Sequence, residues 1–506
     1  MIRPSLAALL LTSALPVALS TGWTPALAAE KTVEKIADKP ADKKDGLAGL
    51  LPADSVTHHK LTAGGHVISY TAHAGTVTLR DDKGEPSAKV FYIAYTQDGA
   101  SPANRPVSFF FNGGPGAGSA YLNLGAAGPK VLEFPANNPT DGANGKLVDN
   151  PDTWLPATDM VFIDAVGTGY SRPLDDEKAA KLYYGVKEDA SAFAKIIQLW
   201  TGDNARQASP HYLVGESYGG VRSIQVANAL QEEQNLIVNG IVMISPAIEM
   251  NYITGNNPLG AAMILPSFIA SHLDETHQLT PEAVDAAYSY ALGPYLSTLA
   301  NVPPKGEAAT KFYTEVSQKT GIPEAVVAKQ SGALDPMSHD VRSRDGRLHG
   351  LYDFTQTIAD PYPDGIDNEN SPEMTLSGFG RAYGNAFTGY VANELGFKTE
   401  LTYELLSMKV NGSWNYGPHG FLTEQTPVLR KLLALDPSLH VFVANGYFDM
   451  ACPFGTSRWT RDHIPVGADR ISLHLYAGGH MLYARPTSRS ALWHDVSAYY
   501  AAQNKG

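Results

Sequence analysis

The chain has 506 residues, with 51 acidic and 38 basic side chains for a formal net charge of −13, and a single cysteine. The acidic balance, with no Lys/Arg cluster, argues against nucleic acid or anionic lipid as the main partner. Cys452 alone excludes an internal disulfide, and a chain of this length can bury enough core to be stable without one.

Residues 1–28 have the pattern of a cleaved export signal: Arg3, an interrupted apolar run from Leu6 to Leu19, then the small-x-small site Ala26-Leu27-Ala28. The run is too short and broken to span a bilayer, which takes about 20 apolar residues. No other segment is apolar enough to do so. The mature protein is therefore expected to be exported, periplasmic or extracellular, with no stable membrane insertion. Residues 29–53, rich in Lys, Asp, Ala and Pro, read as a flexible leader, because they cannot bury enough apolar surface to offset ordering.

Short β-branched and aromatic runs then follow at 67–70, 90–95, 107–111, 160–164, 212–214, 241–244, 441–444 and 471–475. Several are continuously apolar, as in strands covered on both faces. Between them, Val186, Ala190, Phe193, Ile197 and Trp200 share one helical face, and so do Val221, Ile224, Ala227 and Leu230. The alternation predicts an α/β fold with a mostly parallel central sheet flanked by helices. Residues 251–425 break the pattern with helical segments, Pro/Gly breaks and many tyrosines. They are expected to be a largely helical cap inserted between core segments 54–250 and 426–506.

Gly215-Glu216-Ser217-Tyr218-Gly219-Gly220 follows a predicted strand and opens a predicted helix. That is the setting of a nucleophile elbow, with Ser217 thrust out at a tight turn that only glycines can flank. A serine hydroxyl needs a base and an orienting acid. Asp449 and His480 follow it, each just past a later strand, in the chain order this architecture requires. The Gly-rich loop Asn112-Gly113-Gly114-Pro115-Gly116-Ala117-Gly118 follows the strand at 107–111 and is suited to presenting backbone N–H groups to an oxyanion. It is no phosphate loop, since no Gly-Lys-Ser/Thr follows, and no dinucleotide loop, since position 121 is tyrosine. His58-His59 and the acidic loop with Asp360, Asp364, Asp367 and Glu369 lack metal-ligand spacing, so no metal and no cofactor is expected.

Together with Asp164-Ala165-Val166-Gly167-Thr168-Gly169-Tyr170-Ser171 and Gly479-His480-Met481, these motifs resemble the serine carboxypeptidases, peptidase family S10, on the α/β-hydrolase fold. The resemblance implies release of C-terminal amino acids from peptides through an acyl-enzyme on Ser217. His480 would be the base and Asp449 the orienting acid. Gly114 and Tyr218 would supply oxyanion N–H groups. Asn112 and a protonated Glu216 would bind the substrate carboxylate, and Cys452 and Met481 would line the leaving-residue pocket. The chain departs from the family at two places: Ala117 stands where a cysteine is common. Ala126-Ala127-Gly128-Pro129 replaces Glu-x-Gly-Pro, removing an acid that supports the elbow glutamate. An acyltransferase or esterase on the same scaffold, and a non-catalytic exported binding protein, remain alternatives. Oligomeric state is not legible.

Overall fold

The computed structural model describes residues 46–504, apart from 104, 136–140, 254–256, 365–370, 419 and 423. The export signal at 1–28, leader residues 29–45, and Asp367 and Glu369 lie outside the described residues.

Val107–Phe111 (β4) is buried along its whole length. Phe110 packs into one hydrophobic cluster, while Val107, Phe109 and Phe111 pack into another. A strand apolar on both faces needs cover on both sides, and the rest of the sheet follows from that. The other main strands are Ser55–Ala63 (β1), His66–Arg80 (β2), Pro86–Gln97 (β3), Asp159–Ile163 (β5), His211–Glu216 (β6), Gly240–Ile244 (β7), His440–Gly446 (β8) and Ile471–Tyr476 (β9). Their spatial order is β1-β2-β3-β5-β4-β6-β7-β8-β9. From β5 to β9 all neighbours are parallel, while β1, β2 and β3 pair antiparallel at one edge.

Two expectations change here. β1 and most of β2 carry no continuous apolar run, because antiparallel edge strands alternate between buried and exposed positions. The leader is also shorter than expected. Residues Gly46–Leu50 form a 3-10 turn with Ala48 buried, and the Leu50 carbonyl accepts from the Thr399 hydroxyl at 3.0 Å.

Helices Val186–Asp203 (α1) and Tyr218–Glu233 (α2) cover one face of the sheet, burying the two apolar stripes anticipated for them. The other face carries Arg381–Asn393 (α4) and Pro486–Gln503 (α5). Between β7 and β8 the chain leaves the sheet. This stretch includes Pro258–Glu275 (α3), helices at 281–290 and 307–320, α4, and a small antiparallel sheet at 343–344, 347–349 and 357–359.

The parallel strands change direction of progression at β4, which lies between β5 and β6. Loops leaving the carboxyl ends of β4 and β6 therefore diverge and open a crevice, where α/β sheets bind ligands. Residues from the stretch after β7 brace its rim. Asn411 Nδ2 donates to the Pro115 carbonyl at 2.9 Å, the Ser407 N–H to Gly116 at 2.8 Å, and the Gly118 N–H to Leu405 at 3.0 Å. The buried Asp164 carboxylate fastens the same loop from below. It accepts from the Ser119 N–H at 2.7 Å, the Ser119 hydroxyl at 2.8 Å, the Tyr170 N–H at 3.1 Å and the Tyr403 hydroxyl at 3.1 Å. The motif at 164–171 is thus a brace for the Gly-rich loop.

Arg222 on α2 pairs with Asp189 on α1 at 2.6 Å, both buried, with the guanidinium over the Phe193 ring at 4.9 Å. It also donates to the Asn112 carbonyl. Removing one member of a buried pair strands the other charge. Arg222→Met is expected to lower unfolding free energy by about 3–5 kcal/mol. An Asp189→Leu/Arg222→Met double variant should recover much of that, leaving a deficit for the orphaned Asn112 carbonyl. Urea denaturation of the three proteins measures both.

Candidate active site

The crevice contains the elbow. Ser217 has φ +62° and ψ −124°, a conformation costly for a residue with a side chain. It persists because the surroundings leave no alternative. Its N–H donates to Ile244 and its carbonyl accepts from Gly220 and Ala247. A Cβ on Gly215 would lie 2.1 Å from the Gly219 carbonyl oxygen, and one on Gly113 would lie 2.4 Å from the Tyr218 nitrogen. Glycine at 113 therefore lets the loop after β4 press against the start of α2, where the first N–H groups have no intrahelical partner. Gly114 follows at φ +100° and lines the same cavity as Ser217. The Tyr218 ring is turned away, its hydroxyl accepting from the Trp414 indole at 3.2 Å.

His480 and Asp449 come from the loops after β9 and β8. Asp449 is fully buried and spends both oxygens. Oδ1 accepts from the Ala451 N–H at 2.8 Å and the Cys452 N–H at 2.9 Å, and Oδ2 faces His480 Nδ1 at 2.8 Å. A carboxylate can only accept, so the pair fixes the proton on Nδ1 and leaves Nε2 as the basic nitrogen. Burial opposes a charge on His480, but the neighbouring Asp449 carboxylate holds its pKa above the ordinary value. Segment 351–354 fastens both loops. Tyr352 accepts from the His480 N–H at 2.6 Å, Leu351 accepts from the Met450 N–H at 3.1 Å, and the Phe354 N–H donates to Phe448 at 3.0 Å. The Tyr352 ring stands edge-on to the imidazole at 4.9 Å.

Glu216 precedes the serine and is buried. Its Oε2 accepts from Asn112 Nδ2 and its Oε1 from the Tyr483 hydroxyl at 2.7 Å. Burial dominates and pushes its pKa up to about 7, while nearby His480 and the two donors pull the other way. Asn112 is held in turn, its Oδ1 accepting from the Leu122 N–H at 3.2 Å. Asn112, Gly113, Gly114, Glu216, Ser217 and His480 all line one cavity of about 270 Å³. Its remaining wall is mostly apolar, formed by Ala117, Tyr121, Tyr352, Leu376, Leu406, Met408 and Met481, with Asn411 the polar exception.

Met481 lines this cavity, and Cys452 is buried beside it. Its thiol is buried against the side chains of Ser217 and His480 and packs with Ala247 and Met250, because the two amides that bind Asp449 turn the 449–452 loop inward. Burial pushes the Cys452 pKa up, keeping it a thiol. Among the described residues no group of three or more His, Cys, Asp or Glu side chains is disposed to hold a metal. His58 and His59 lie on β1, where His59 stacks on Tyr70, and Asp360 is engaged by His339 and Ser343. No described helix is long and apolar enough to cross a membrane.

Tyr483, Tyr352 and Arg222 were not anticipated. The first lies three residues past His480 and carried no motif. The second lies in the stretch after β7, where only composition was legible.

A serine carboxypeptidase family model matches residues 64–263. Serine carboxypeptidase-like 34 of Arabidopsis thaliana is 28% identical over 214 residues, 40% of this chain and 39% of its own length. Serine carboxypeptidase-like 1 of the same plant is 24% identical over 255 residues, 47% of this chain and 50% of its own. The chain spans between about a third and a half of the length of the curated relatives it matches. The crystal structure of Kex1Δp, a prohormone-processing carboxypeptidase from Saccharomyces cerevisiae, aligns with a TM-score of 0.56 at 18% identity, over 85% of this chain and 91% of that one, and shares the fold. With its elbow, Gly-rich loop and His–Asp pair on a mostly parallel sheet, the chain is similar to the serine carboxypeptidases over residues 64–263 and has the α/β-hydrolase fold.

Proposed function

We propose that the protein is a serine carboxypeptidase that releases single amino acids from the free C-terminus of peptides. The observation that carries this reading is the buried Asn112–Glu216 pair on the wall of the cavity that Ser217 and His480 also line. An amide beside a carboxylic acid can donate two hydrogen bonds to a terminal carboxylate. An endopeptidase has no use for such a pair at that position.

In this mechanism Ser217 Oγ attacks the last peptide carbonyl while His480 Nε2 takes its proton. Asp449 stabilises the imidazolium that forms. The N–H groups of Gly114 and Tyr218 hold the oxyanion. Collapse expels the C-terminal amine, which takes the proton from His480, and leaves an acyl-enzyme. Water, deprotonated by His480, then hydrolyses the ester and restores Ser217. The apolar wall favours an apolar departing side chain, since a Lys, Arg or Asp there would be desolvated without an opposite charge. We further propose export to the periplasm or cell exterior on the signal at 1–28. N-terminal sequencing of the exported protein should begin at Ala29, and an intact Met1 would contradict it.

Peptides ending in Leu, Phe or Met are expected to lose that residue at least about tenfold faster, in kcat/KM, than peptides ending in Lys or Asp. Their C-terminal amides should be poor substrates. Mass analysis of the products reads both, and internal cleavage would contradict the exopeptidase reading. Ser217→Ala and Asp449→Asn should fold normally yet lose about three to four orders of magnitude in kcat.

The pH profile follows from two protons. Glu216 must keep its proton to bind a carboxylate, so kcat/KM for free-acid peptides falls as pH rises through its ionisation near 7. His480 must lose its proton to act as base, so the same quantity rises with pH from the acid side. The two groups interact, so a single proton shared between them populates both acid–imidazole and carboxylate–imidazolium forms, and the bell is narrow. Glu216→Gln cannot ionise. It is expected to flatten the alkaline limb and move the acid limb down, because no carboxylate remains to favour the imidazolium. An unchanged alkaline limb would exclude Glu216 from carboxylate binding.

A further inference from the structure

The carboxyl of Glu216 is met from several elements. Asn112 approaches from the loop after β4, and Tyr121 from the turn that follows. Tyr383 comes from α4, with its buried hydroxyl unpartnered among the described residues. Asp449 comes from the loop after β8, and His480 and Tyr483 from the loop after β9. Of the phenols, Tyr483 is the one whose hydroxyl bonds the carboxyl, at 2.7 Å. Its ring is fully buried and does not line the cavity, so it reaches the substrate only through Glu216. The backbone makes room for it: a Cβ on Gly125 would lie 2.4 Å from the Tyr483 ring. Gly125 adjoins Ala126, the position where the family resemblance leads one to expect an acid.

We infer that Tyr483 is a positioning residue that fixes one oxygen of Glu216 and sets the pH at which this acid stops binding a substrate carboxylate. The inference rests on the reading of Glu216 given above. The chemistry differs from that of a second acid. Two acids share a proton, and each resists the ionisation of its neighbour. A phenol held neutral by burial, as Tyr483 is, donates to a carboxylate and favours ionisation. Tyr483 therefore offsets part of the burial that keeps Glu216 protonated. It also leaves the second oxygen, beside Asn112 and the cavity, as the place for the proton that a substrate carboxylate accepts.

The test is Tyr483→Phe, which keeps the ring and removes the donor. With a free-acid peptide the alkaline limb of kcat/KM should move up by about 1 to 2 pH units, the scale of one hydrogen bond to a charged group. KM near neutral pH should change with it, and the shift of the alkaline limb should be much smaller on an ester lacking the terminal carboxylate. In a Glu216→Gln background the same change should move nothing on the alkaline side. A limb that stays in place, or moves down, while the unmodified enzyme still prefers the free acid overturns the role of Tyr483. Loss of that preference in the unmodified enzyme would instead remove the carboxylate-binding reading. In that case the ¹³C-carboxyl NMR titration of Glu216, identified by its absence in Glu216→Gln, still decides. An upward shift of its midpoint in Tyr483→Phe supports the inference, and no shift overturns it.

Discussion

The site depends on one backbone conformation, that of Ser217 at φ +62°. Placing an L-residue there is unfavourable, so the fold must remove every more relaxed alternative. It does so by close approach. The start of α2, the end of β6 and the Gly-rich loop come within distances at which side-chain carbons at 215 and 113 would overlap main-chain atoms. The same compression that strains the serine presses the Gly-rich loop against the first amide of α2.

The two buried carboxyls of the site show how environment separates chemically similar groups. Asp449 receives two backbone N–H groups and an imidazole N–H, a full set of donors. Glu216 receives one amide and one phenol, both neutral, in an enclosure whose dominant effect is loss of water. One orients an imidazole, while the other is pushed by burial to ionise near neutrality. Neither role can be read from residue type.

What the sequence made legible follows from range. Parallel strands and the elbow are local patterns, so β4 to β9, α1 and α2 were visible as apolar runs or stripes. Ser217, Asp449 and His480 were visible because each follows a strand end. Edge strands β1 and β2 were hidden by alternation. Tyr483 and Tyr352 were hidden because their partners are distant in the chain: Tyr483 bonds a residue 267 positions earlier, and Tyr352 holds His480 through a main-chain carbonyl that any residue could offer. The burial of Cys452 was hidden, because the inward turn of its loop comes from main-chain donation to Asp449. The motif at 164–171 was legible as a motif but not as a brace, since its partners Ser119 and Tyr403 come from separate stretches of chain.

The hold of segment 351–354 on the loops of Asp449 and His480 bears on how far the site reaches along the chain. The His480 N–H donates to the Tyr352 carbonyl, so the seat of this imidazole is built partly by a segment more than a hundred residues earlier in the chain. A change in segment 351–354 would therefore reach His480 without touching the loop that carries it.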